Sequence, residues 1–225
     1  MNKALWTLVV DGYPEEITRR THPLLKYYAR KIGADFRVIT KRKFPNFPPE
    51  CEKLQIYELG RGYDWNLFLD SDTLVNPDMF DLTEHVSKDT VMHYAADFAG
   101  NRWVYDRFFR RDGRNIGDCG WFTLASDWCH EVWEPLTDLT LEEVEARIFP
   151  VRCEVAAGIT ARHCVDGYIV GRNIAKYGLK FKTYLDLLKE LGREGDVYFW
   201  HQCLLTKEEK IRDMDIVLKA WGLLK

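Results

Sequence analysis

The chain has 225 residues, of which 46% are apolar, 14% aromatic and 30% charged, and its formal net charge is −3. That length suits one α/β core and is short for two. The charge lacks the basic excess of a nucleic-acid binder and no segment approaches the length of a membrane span, so a soluble globular chain with no nucleic-acid partner is expected.

Residues 4–10 form a β-branched and aromatic run bounded by Asp11-Gly12. The opening stretch has too short an apolar core for a secretory leader and reads as a first strand. Thr21-His22-Pro23 is expected to open a helix, with apolar residues at 24, 25, 28, 29 and 32. Residues 36–39 read as a second strand and 41–49, basic with three prolines, as a loop. A helix over 50–59, closed by Gly60, then delivers the chain to a strand over 65–69. Beyond Val75, Asn76-Pro77-Asp78 makes a turn, and 90–96 is a strand ending at Asp97. Residues 97–118 are polar and hold Arg102, Arg107, Arg110, Arg111 and Arg114. This is longer than a routine connection: it is a solvated loop or a grip on an anionic partner, and 97–115 is expected to act as a lid. A strand over 121–125, a helix start at Ser126-Asp127-Trp128 and a capping box at Thr140 and Glu143 follow. A helix over 164–177, with Asp166 in its first turn and Gly178 as its stop, a strand over 197–200 delivering His201, and an amphipathic helix over 207–223 complete the chain. Strands alternating with helices imply a mainly parallel, helix-flanked sheet. The six cysteines show neither Cys-x-x-Cys pairs nor zinc spacing, which favours reduced thiols and a cytoplasmic setting.

The stretch from Trp65 to Val75 organises the rest. Its apolar run stops at two carboxylates, Asp70 and Asp72, one residue apart. Acids so spaced project near one another once the backbone leaves the sheet, and a hard divalent cation relieves their repulsion. Strand ends are also where open α/β sheets bind ligands. The plainer alternative is a turn with solvated acids.

With these residues in view, the chain resembles the metal-dependent nucleotide-sugar glycosyltransferases of the GT-A fold, and within them the glycogenin and bacterial galactosyltransferase-like group (family 8-like). Leu69-Asp70-Ser71-Asp72-Thr73-Leu74-Val75 is similar to that family's metal motif, and Thr7-Leu8-Val9-Val10-Asp11-Gly12-Tyr13 to its nucleoside-contacting loop, one residue short. Lys53-Leu54 resembles its donor-phosphate lysine. Asp118-Cys119-Gly120 stands where it has Asn-x-Gly, Asp166-Gly167 where it has Asp-Gln, and His201 with Lys207 keeps the spacing of its C-terminal signature, although Leu204 and Glu208-Glu209 depart from that signature. The resemblance implies a Rossmann-like GT-A sheet in a single domain over 1–225, with 1–97 as the nucleotide-sugar half and 98–225 as the acceptor side. It implies a Mn2+ or Mg2+ ion on Asp70, Asp72 and His201, and a UDP-sugar donor contacted by Thr7, Leu8, Asp11, Tyr13, Lys53, Asp70, Ser71 and Lys207. Asp166, Lys53 and Asp118 would serve transfer to a glycan, lipid or protein hydroxyl, with retention. Carboxylates with one imidazole suit manganese or magnesium, since tight zinc sites recruit more His or Cys. Each of these residues also has an ordinary reading: Lys53 and Lys207 as surface lysines, His201 as a structural histidine, Asp166 as an acid at a helix N-terminus. Two functional rivals stand beside the transferase. One is an aspartyl-phosphate-type magnesium phosphatase, against which Thr73 comes one position early; the other is a silent nucleotide-sugar-binding protein.

Overall fold

The computed structural model describes residues 1–95, 120–149, 155–156, 158–203 and 205–224. Its centre is β3, Trp65–Leu69, in which every residue is buried. A strand covered on both faces has no polar side to alternate, which is why its sequence is a continuous apolar run. β1 (Lys3–Leu8) pairs in parallel with β3 on one side and with β2 (Ala34–Ile39) on the other. Beyond β3 come β6 (Phe122–Ser126), β5 (Thr90–His93) and β7 (Lys180–Thr183), giving the order β2-β1-β3-β6-β5-β7. Only β6 runs against its neighbours, so the sheet is mainly parallel and the fold class is α/β, as expected.

Alternation along β1 and β3 divides the interior into two layers. Ala4, Trp6, Leu8 and Phe68 face a cluster with Cys51, Leu54, Trp133 and Tyr168, whereas Leu5, Leu67 and Leu69 face Leu25, Tyr28, Phe122 and Tyr184. Each fully buried apolar side chain of this size contributes roughly 1.5–3 kcal/mol. Asn66, buried in β3, is satisfied by accepting the Trp6 indole N–H at 2.8 Å and donating to the Gly60 carbonyl at 3.2 Å.

Several elements differ from expectation. Helix α1 spans Glu15–Lys31 and so begins well before Thr21, leaving Pro23 inside it. Ile17, Thr21, Leu25, Tyr28 and Ala29 supply its buried stripe, while Pro23 and Arg19, whose carbonyl loses the proline's missing donor, lie on the face exposed to solvent. The 50–59 helix is a 3-10 turn, Pro49–Gln55, continuing into one α-helical turn, α2, Ile56–Leu59. Another 3-10 segment, Asp127–Trp133, follows its cap Ser126. The capping box at Thr140 opens the short helix α3, Leu141–Glu145. Helix α4, Val165–Tyr177, ends at left-handed Gly178 as expected.

β7 and the helix α5 that follows it, Tyr184–Glu190, were not anticipated. Nor was β4, Leu74–Val75, which pairs antiparallel with β8, Phe199–Trp200, in a separate two-stranded sheet. The final helix α6, Lys207–Ala220, rests on α1 through Ile17, Leu74, Met214 and Leu218, and the Arg20 guanidinium donates to both Asp215 oxygens at 2.6 and 3.0 Å. Among the described residues Cys51, Cys129 and Cys203 are free thiols, and no helix is long and apolar enough to cross a membrane.

Candidate functional site

The register Leu69↔Phe122 puts the end of β3 beside the start of β6, and the end of parallel β1 lies at the same edge. That edge collects the polar residues. Asp70 donates its backbone N–H to the Trp121 carbonyl at 3.0 Å, and Thr73 N–H returns to the Asp70 carbonyl at 3.0 Å, so the chain turns tightly between the two carboxylates. Ser71 fixes the turn from below. Its hydroxyl lies 3.0 Å from the Thr7 hydroxyl and donates to the Leu8 carbonyl, while its own carbonyl accepts from Thr21 at 2.5 Å. Thr7, Leu8 and Ser71, placed among the donor contacts from sequence, are buried and form this scaffold.

β4 then brings in the third ligand. With Leu74 opposite Trp200 and Val75 opposite Phe199, the next position back sets His201 against the carboxylate turn. His201 Nε2 lies 3.3 Å from Asp72 Oδ1 and 3.7 Å from Asp70 Oδ2, and its ring is stacked on Trp121 at 4.7 Å and 12°. The ligand atoms of the three residues lie within 4.8 Å of one another. Neighbouring ligands of an ion bonded at about 2.1 Å stand roughly 3 Å apart, so two carboxylates and one imidazole in this arrangement fit a small divalent cation.

Asp72 is already paired with a positive charge. The Lys210 ammonium donates to its Oδ2, and the Tyr13 phenol lies against it. Burial pushes the Asp72 carboxyl up, but the His201 imidazole and Lys210 outweigh it and hold its pKa below the usual carboxylate range. Asp70 goes the other way: burial raises it, with Asp72 and Asp166 adding to the rise and Lys53 and His201 opposing it. Burial, then the two aspartates, also raises the Tyr13 phenol.

Behind Asp70 lies a second polar cluster. Lys53 is fully buried; its ammonium donates to Asp166 Oδ2 at 2.6 Å and to the Gly120 carbonyl, stands 3.8 Å from Asp70 Oδ1 and sits over the Phe68 ring at 4.5 Å. Burial alone would lower its pKa, but Asp166 and Asp70 raise it above the ordinary lysine value. Gly120 is a steric requirement of this contact, since a Cβ there would meet Asp166 Oδ2 at 2.0 Å. Burial and then Asp166 push Glu50 up to about 7. His163, hydrogen-bonded to Cys203, is raised by that contact against the opposing effect of burial, and Asp166 raises it further.

The remaining sequence candidates are placed as follows. Asp11, in the left-handed region at φ 52°, pairs with Arg42, which also reaches Glu52 at 2.8 Å. Lys207 is half exposed and pairs with Glu16 at 3.2 Å, away from Asp72, while Lys210, one helical turn on, makes the contact. Asp118 and the 97–115 segment lie outside the described residues. Lys210, Gly120, Glu50 and His163 were not assigned from the sequence. A signal for Lys210 exists in the capping box, because Thr206 and Glu209 fix the first turn of α6 and with it the face on which residue 210 falls.

No family model matches the sequence and no curated protein matches it. Among solved structures, a glycosyltransferase involved in the glycosylation of the major capsid of PBCV-1 is 14% identical over 95% of this chain and 99% of that one, with a TM-score of 0.51. The likeness is one of fold. A mutant of Drosophila β-1,4-galactosyltransferase 7 in complex with manganese, UDP-Gal and xylobiose is 13% identical over 94% of this chain and 80% of that one, with a TM-score of 0.46. A shared fold hosts many activities, so the chemistry is argued from the site.

Proposed function

We propose that this protein is a metal-dependent glycosyltransferase that moves a sugar from a nucleotide-sugar donor, a UDP-sugar, to a hydroxyl of a glycan, lipid or protein acceptor with retention. The convergence of Asp70, Asp72 and His201 on one small volume at the sheet edge carries this reading. These three residues hold the divalent cation, manganese or magnesium. When bound, such an ion neutralises the charge that grows on a departing diphosphate. The choice of UDP and of retention rests on the family resemblance of the sequence motifs.

The chain's own residues divide the remaining work. Trp121 fixes the His201 ring by stacking, and the Ser71 network fixes the turn, so the ligand set is held by packed neighbours. Lys53, locked beneath Asp166 and Asp70, sets one positive charge between the two carboxylates in a buried setting and orients them. Asp166, at the start of a helix, presents a carboxylate for positioning donor and acceptor on one face. The motif resemblance assigns Asp118 to the acceptor and Asp11 and Tyr13 to the nucleoside.

Against the phosphatase rival stands His201, whose imidazole lies 3.7 Å from Asp70 Oδ2 and 3.3 Å from Asp72 Oδ1 and makes both carboxylates members of one ligand set. A silent nucleotide-sugar binder would share every contact described and differ in turnover. A thermal-shift panel of nucleoside diphosphates and sugar nucleotides, with and without manganese, tests the binding half of the proposal. Selective stabilisation by one diphosphate class in manganese supports it, and an unchanged melting temperature across the panel overturns it. Manganese-dependent hydrolysis of the stabilising sugar nucleotide then separates enzyme from binder.

A further inference from the structure

Lys210 stands in a position that the site as described does not use. Its ammonium lies on Asp72 Oδ2 while His201 faces Asp72 Oδ1, and its side chain is only 15% exposed against 8% for Asp72. This is not the loose pairing of two surface side chains. The first turn of α6 is pinned by reciprocal bonds between Thr206 and Glu209, and the helix is anchored on α1 by Arg20–Asp215 and by Met214 and Leu218. Residue 210 is thus delivered to the carboxylate by a fixed helix, with only its own flexible stem left to move. Lys207, the lysine that the motif spacing points to, is engaged by Glu16 outside the cluster.

An ammonium and a divalent cation on the same carboxylate repel one another strongly in a site so little exposed. Lys has a compact charge on a four-carbon stem, able to swing between two anions without a change in the backbone. The incoming anion in this site is the diphosphate of the donor. We propose that Lys210 is an internal counter-ion of the metal site, which gives up Asp72 to a divalent cation and turns its ammonium to the donor's diphosphate. The consequence is positive coupling: the metal ion binds weakly alone because it must displace Lys210, and a nucleoside diphosphate strengthens it by giving the displaced ammonium a partner. The inference rests on the proposed metal site and adds to it a reason why neither ligand should bind tightly without the other.

Calorimetry on the full chain tests it, with Mn2+ alone and with UDP at saturating Mn2+ as the probes. In Lys210→Met, which keeps the apolar stem, Mn2+ alone should bind about tenfold more tightly than in wild type, and UDP at saturating Mn2+ about tenfold more weakly. Lys210→Arg should restore the weak Mn2+ binding, and near-ultraviolet circular dichroism verifies that both variants are folded. Equal or weaker binding of Mn2+ to Lys210→Met overturns the inference while leaving the metal site standing, as does a loss of UDP affinity in Lys207→Met that Lys210→Met does not show. Absence of Mn2+ and UDP binding in wild type overturns the site and the counter-ion together.

Discussion

Replacing Gly120 by alanine isolates the buried core of the site. A Cβ at that position would stand 2.0 Å from Asp166 Oδ2 and 2.7 Å from its Cγ, where ordinary van der Waals contact begins at 3.4 Å. The carboxylate must therefore retreat by about 1.4 Å, a move comparable to the margin between a hydrogen bond and no bond at all. The bond at stake is the 2.6 Å contact from fully buried Lys53. Separating a buried pair by disabling one partner costs about 3–5 kcal/mol. Allowing for partial relaxation, Gly120→Ala should lose about 3 kcal/mol, which for a chain of this length lowers the melting temperature by roughly 10 °C. Urea unfolding measures the loss directly, and a second background makes the test specific. If the methyl acts through Asp166, then in Asp166→Ala the same substitution should cost below about 1 kcal/mol. An equal cost in both backgrounds, or a loss under about 1 kcal/mol in the wild-type background, would refute the argument.

Glu50 makes a prediction about pH. Its folded pKa of about 7 stands above its ordinary 4.5, so the folded chain holds this proton more tightly than the unfolded chain. The associated stability is fully present below pH 4.5 and is lost as pH rises through about 7; Glu50→Gln should therefore gain stability relative to wild type above that pH and little near pH 4.5, as urea midpoints at the two conditions will show. His201→Ala should weaken manganese binding at least about tenfold while leaving the protein folded in chelator. In wild type the affinity should fall on acidification from about pH 7.5 to about pH 5.5, because metal binding requires deprotonated ligands and releases protons. Calorimetric titrations of manganese at the two pH values check both statements.

What was legible in the sequence follows from how local each signal is. β3 announces itself by an apolar run that stops at charge, and the capping box at Thr140 is written within four residues. The pairing of β4 with β8 is different in kind. Two residues on each side meet across more than a hundred positions, so nothing near Leu74 marks it as a strand, yet this pair delivers His201. β7 was missed because its alternating Lys-Phe-Lys-Thr lies at a sheet edge, between Gly178 and the cap Thr183, and has no buried run to betray it. Lys210 was missed because a spacing rule pointed to Lys207, and only the docking of α6 on α1 decides which lysine reaches Asp72. Gly120 and Lys53 were both in view, but a glycine's need for empty space and a lysine's complete enclosure emerge only when Asp166 is packed against them.

The central claim is that the carboxylate turn and His201 hold a cation through which a nucleoside diphosphate is bound. Calorimetry of UDP binding to wild type and to Asp72→Asn, each in manganese and in chelator, tests it most directly. The account predicts binding by wild type in manganese and none in chelator or in Asp72→Asn under either condition. Equal affinity of wild type for UDP in chelator and in manganese would contradict it.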